Sequence, residues 1–253
     1  MKFAAILTVC TALLIAPAPA MAQDDFERMT RNDDMQTGSR FKRTSQSPDE
    51  ATQRYMQKRV AKCVVYGEKD LARDLVAKSD TARIDYEALG VAPNNLFKEL
   101  DVANCLGRAA KSGTLSIAMR IPPRTLRNLM AEEVYLMDQK DPLVIADDAP
   151  ASLPNRFYTS GNTRGAKMTA ELSDCIVHHS PDAAHEFIET RPGTSGEADA
   201  LDGLYEALTK CAGEGIAEAD IDMSSMRMVV ADGLWARMHY GPTANAENSE
   251  AAE

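Results

Sequence analysis

The chain has 253 residues, a formal net charge of −10, 44% hydrophobic residues and only 6% aromatic ones. This excess of acid repels phosphate backbones and anionic bilayers, so nucleic acid is excluded as a partner and an acidic membrane surface is a poor one. Apolar residues drawn mainly from Ala, Leu, Val and Met suit close-packed helices better than a β-sandwich, so the expected fold class is all-α.

At the start, Lys2 precedes an apolar run over residues 3–15, and "PAPAMA" ends in Ala20-Met21-Ala22. Residues 1–22 therefore read as a secretory signal peptide with cleavage expected between Ala22 and Gln23. The run is well short of the roughly 20 residues a membrane span needs. No second apolar run of that length follows, so no transmembrane segment is expected in the mature chain, which is placed in the periplasm or outside the cell. Cys10 leaves with the peptide. Its removal takes away one lysine and no acid, and the net charge becomes −11. Residues 23–50, including the basic "SRFKRTSQS", are polar and poor in large apolar groups, and read as a disordered tail.

Residues 51–138 form a first helical unit. "ATQRYMQKRVAKCVV" (from Ala51) contains no breaker and sets Met56, Val60, Cys63 and Val64 on one face. "NNLFKELDVANCLG" continues with a less regular apolar stripe. "TLSIAMRI" alternates and reads as an extended connector. Pro122-Pro123 and Thr125 start a closing helix with Leu126, Leu129, Met130, Val134 and Met137 facing inward. Residues 139–166, with "DPLVIADDAPASLPNRFYTSGNTRG", are a linker, or a strap if "LVI" and "FY" are buried. A second helical unit spans 167–240. It comprises "KMTAELSDCIVHH", then "SPDAAHEFIE" with Ser180 as N-cap and Pro181 in the first turn, then "ADALDGLYEALTKC", then a last helix from Met226. Residues 241–253 are an acidic disordered tail.

The two units spell the same pattern. "CVVYGEKDLARDLV" from Cys63 matches "CIVHHSPDAAHEFI" from Cys175, Cys105 matches Cys211, and "LRNLMAEEVY" from Leu126 matches "MRMVVADGLW" from Met226. Three blocks in one order point to tandem duplication of a small helical unit. Four cysteines permit three pairings, and the repeat selects Cys63–Cys105 and Cys175–Cys211, one disulfide within each copy.

Chemistry is harder to find. His178, His179 and His185, with Glu186, are considered as zinc or copper ligands, and Met223, Met226 and Met228, with Met238-His239, as copper ligands. Adjacent helical histidines point about 100° apart, and Met226 matches the apolar Leu126, so surface histidine and core methionine are the preferred readings. No metal and no cofactor is assigned. Arg127 and Arg227 match, as do Glu132 and Asp232. They read as exposed partners of neighbouring helices in preference to a charged groove between the units. No nucleophile elbow, metalloprotease helix or phosphate-binding loop occurs, so no catalytic residue is assigned.

These quoted blocks resemble exported two-repeat, disulfide-containing helical proteins of Gram-negative bacteria. The resemblance spans both copies and carries fold and location but no activity. The expected function is a non-catalytic binding or envelope-associated interaction module whose partner is an envelope protein. The alternatives are a cell-envelope hydrolase using His178, His185 or His239 with nearby carboxylates, and a periplasmic copper or zinc binder.

Overall fold

The structure is a computed structural model that describes residues 48–109, 121–159, 163–212 and 222–241. The expected signal peptide, nearly all of both tails, and most of "TLSIAMRI" and of its counterpart before Met223 lie outside the described residues, and the first helix begins at Glu50, within the segment expected to be a tail. What is described is helical: α1 (Glu50–Gly67), α2 (Lys69–Ala77), α3 (Tyr86–Leu89), α4 (Leu96–Glu99), α5 (Val102–Ala109), α6 (Pro123–Asp138), α7 (Thr163–His179), α8 (Pro181–Glu189), α9 (Ser195–Asp202), α10 (Tyr205–Ala212) and α11 (Met223–Tyr240). Among the described residues the only strand-like pairing is an isolated bridge between Ser79 and Ile84.

Two long helices, α6 and α11, form the middle of the core. Leu126, Met130, Val134, Val230 and Leu234 are essentially solvent-free, as the sequence pattern requires, while Met137 and Met238 are half-buried. Burial extends all the way round α11, from Val229 to Arg237, so it is a central helix rather than an amphipathic surface one. α1 packs on α6 and α7 packs on α11. On α1 the buried face is Val60, Ala61, Val64 and Val65, with Met56 and Cys63 at its margin, a small rotation from the face expected.

Close packing of α7 on α11 depends on Gly233. A Cβ there would lie 2.6 Å from the Ser173 carbonyl oxygen, a backbone atom that cannot step aside. Gly233→Ala is therefore expected to destabilise the fold by about 1–3 kcal/mol, readable as a lower urea midpoint at unchanged slope.

Each disulfide joins the first helix of a half to the short helix before the closing one. Cys63–Cys105 links α1 to α5, and Cys175–Cys211 links α7 to α10. These are the expected pairings. Elsewhere the local reading needs correction. "ADALDGLYEALTKC" is two helices, α9 and α10, which separate at Gly203-Leu204 so that Leu204 and Leu208 both reach the core. "NNLFKELDVANCLG" likewise divides at Leu100-Asp101, where Asp101 adopts a left-handed φ of 47°. Ser180 occupies the N-cap position of α8, but its side chain makes no capping bond. α8 ends at Glu189, just before "Arg191-Pro192-Gly193". Gly193 has φ 77° and lies so close to Ala51 that no side chain fits there.

Residues 139–159 run as a strap held by polar contacts. Ser152 donates to Asp174 at 2.6 Å, Arg237 reaches the Pro150 carbonyl at 2.9 Å, and Thr159 donates to Asp80 at 2.7 Å. Leu143 and Ile145 tuck against the core, whereas Val144 between them is 97% exposed. No described helix is long and apolar enough to cross a membrane.

Candidate functional site

The matched arginines and acids are not surface partners. Arg127 and Asp232 are fully buried, Glu132 is 2% exposed and Arg227 4%. They pair crosswise between the two central helices. Arg127 of α6 binds Asp232 of α11 at 2.7 Å, and Arg227 of α11 binds Glu132 of α6 through two bonds of 2.8 and 3.0 Å. The expectation of exposed pairs is thus corrected. Burying a guanidinium is tolerable only when its donors and its charge are all matched, and here they are.

Matching extends to the backbone. Arg127 donates to the carbonyls of Val76 and Ser79 at the C-terminal end of α2, at 3.2 and 3.3 Å. Arg227 donates to Phe187, Ile188 and Thr190 at the end of α8. Carbonyls at a helix C-terminus lack intrahelical donors and carry partial negative charge, so each arginine satisfies orphan acceptors while pairing with an acid of the other half.

Residues outside the matched sequence blocks complete the cluster. Arg156 from the strap binds the second oxygen of Asp232. Lys58 of α1 binds Glu132 and the Ile188 carbonyl, and Arg54 binds Glu197 at 2.6 Å, which also takes Arg227 at 3.1 Å. Sequence reasoning missed Lys58, Arg156 and Glu197 because the repeat was its only guide. Burial pushes the carboxyls of Glu132 and Asp232 upward, but the adjacent cations more than offset it and hold both below the ordinary range.

Glu133 behaves oppositely. Its carboxyl is buried, with Lys58 only at 3.5 Å and one oxygen lacking a hydrogen bond among the described residues. Burial raises its pKa, Lys58 offsets this only in part, and Glu132 adds to the rise. A carboxyl raised in the folded state favours folding below its unfolded pKa near 4.3, and that advantage fades as pH climbs through the folded value. Glu133→Gln is therefore expected to raise the thermal midpoint at pH 7–8 and to change it little at pH 4.

Beside this buried cluster a cleft of about 220 Å³ opens to solvent where α1 faces the N-terminal halves of α6 and α11. Arg54, Gln57, Arg124, Thr125, Asn128, Glu132, Ser224 and Arg227 line it. Arg54, Glu132 and Arg227 already satisfy one another or Glu197, whereas Arg124 stands exposed at the rim and has no partner among the described residues. Asn128, at the cleft wall, is held by the Thr81 carbonyl at 3.3 Å and by the Met228 sulfur at 2.6 Å.

The histidines and methionines lie apart from this cleft, save Met228. His185 is buried, and its Nδ1 meets the Tyr135 hydroxyl at 2.9 Å, with Glu189 3.6 Å from Nε2. Burial raises the Tyr135 pKa, with a further push from the Glu189 charge, so its hydroxyl stays protonated. His239 stacks on Trp235 at the far end of α11, and His178 and His179 contact each other edge-on at the end of α7. Met226 is core, matching Leu126. Met223 and Met228 are half-buried against that core. Comparison of the chain with protein-family profiles, curated proteins and solved structures returned no match. Fold and site together define the class directly: an all-α protein with two disulfides and a buried, crosswise charge cluster.

Proposed function

We propose that this is an exported binding module made by tandem duplication of one helical unit, which engages an envelope partner through the α1–α6–α11 cleft without covalent chemistry. The observation that carries the reading is the cleft itself. It sits over a buried, crosswise-paired charge cluster and presents at its rim Arg124, which has no partner among the described residues. A backing already held by buried ion pairs, with an exposed arginine at the rim, suits recognition, because little ordering is lost when a partner docks.

Duplication accounts for the crosswise pairing. An ancestral pair of identical units related by a two-fold axis would place each arginine on the other copy's acid, and fusion of the two would preserve that exchange. Export accounts for the paired cysteines, since disulfides persist in oxidising compartments. It also fits the amino-terminal pattern through Ala22 and the likeness to exported Gram-negative helical proteins. A binding reading is preferred to a hydrolytic one because His185 is committed to Tyr135 in the core, and His178 and His239 are remote from the cleft's polar groups.

A photo-crosslinking residue in place of Arg124, expressed in the native host, is expected to capture one stoichiometric envelope partner. The same residue in place of the exposed Met168 on α7 is expected to capture none. Recovery of the bait alone, or identical adducts from both positions, overturns the reading.

A further inference from the structure

We propose that Cys175, Cys211 and His179 are a latent thiolate–imidazole site for zinc(II), closed while the disulfide stands and opened when a dithiol donor of the thiol–disulfide exchange class reduces it. The proposal is independent of the cleft. Its ground is an asymmetry between the halves, which build the same cross-link in different surroundings.

At Cys175–Cys211 a third ligand is already in place. His179 lies four residues after Cys175, hence on the same face of α7, and one donor atom from each of the three residues falls within 4.8 Å of the others. Cys175 and Cys211 are half-exposed and His179 is exposed, so both a reductant and an ion have access. Lys210 Nζ lies 3.3 Å from His179 Nδ1, a contact that an ion bound at that nitrogen would displace. At Cys63–Cys105 the matching position is Gly67, which offers no donor. Arg59 and Arg108 line the hollow over that bond, and Cys105 is only 4% exposed. One end of the molecule has ligand spacing and the other has none.

The step balances simply. Two electrons and two protons pass from the dithiol to the Cys175–Cys211 bond, giving two protein thiols and a donor disulfide. Zinc(II) then displaces both thiol protons to solvent and bonds two thiolates and the His179 imidazole, with water in the fourth position. The sulfurs need only part to about 3.7 Å, the separation that two Zn–S bonds of about 2.3 Å impose in a tetrahedral site.

The test uses the full chain, oxidised or reduced with a phosphine and then freed of excess reductant, and dialysed against zinc. Elemental analysis is expected to find one zinc per reduced chain, not two, and none in the oxidised chain. Cobalt(II) in the reduced chain should give a thiolate charge-transfer band and tetrahedral d–d absorption. His179→Ala, which leaves the disulfide and its packing intact, should weaken zinc at least about tenfold in chelator competition. The proposal is overturned if the reduced chain retains no zinc, if His179→Ala binds it equally well, or if the reduced chain loses its helical circular dichroism with zinc present.

Discussion

Asp232→Ala is expected to lower stability by about 3–5 kcal/mol. The reason is what it leaves behind. Asp232 is fully buried and holds Arg127 on one oxygen and Arg156 on the other. Without it two buried guanidiniums face each other with no anion between them, and neither can shed its proton. Loss of the strap contact to α11 should follow, since Arg156 is its charged anchor. Asp232→Asn keeps the shape and removes the charge, so it separates electrostatics from packing. The pH dependence has a definite sign. Because Asp232 has a depressed pKa in the folded state, its contribution is complete above the unfolded value near 3.9 and vanishes as pH falls through the folded one. The gap between native and variant urea midpoints is thus expected to be full at pH 6–8 and to narrow below about pH 4. A gap independent of pH, or one under about 1 kcal/mol, would mean that the arginines find other partners.

Loss of a disulfide is the second large effect. Opening Cys63–Cys105, whose ends are 42 positions apart in sequence, or Cys175–Cys211, at 36, should cost about 3–4 kcal/mol each through the freedom returned to the unfolded chain. The local consequence is sharper than the global one. α5 and α10 are each eight residues long, too short to hold helical structure alone, and each has its cysteine fastened to the long first helix of its half. Cys63→Ser with Cys105→Ser is expected to abolish amide-exchange protection over Val102–Ala109 while α6 and α11 remain protected. The Cys175→Ser, Cys211→Ser pair should do the same over Tyr205–Ala212. Uniform loss across all helices would instead show that each bond supports the whole core.

Much of the architecture was written locally. Helical spacing of Leu126, Met130 and Val134, and of Met226, Val230 and Leu234, is enough to set the inward faces of the central helices, because a 3.6-residue period needs no tertiary information. Pairing of the cysteines was legible for a different reason: the matched blocks give each half its own two cysteines in the same order, and a bond closed within each half is the simplest way to join them. Breaks at Gly203-Leu204 and Leu100-Asp101 were not legible. Both stretches keep helical composition, and the division serves to turn Leu204 and Leu100 into a core whose position is set by other helices. Candidate ligands fared similarly. The trio at Cys175 is invisible in a list of spacings, since Cys211 arrives from another helix and the cysteines were already assigned to a bond.

The amino-acid sequence by itself determined the helical class, the net negative charge, and the matched positions of Arg127, Arg227, Glu132 and Asp232. Only the tertiary structure decided that these four are interior. A charge can be buried when an opposite charge and orphan carbonyls meet it, and for Arg127 those come from Asp232, about a hundred residues away, and from the end of α2. Local sequence holds no record of that meeting. It exists once α6 and α11 lie side by side, and the same contact leaves Arg124 at the rim of an open cleft.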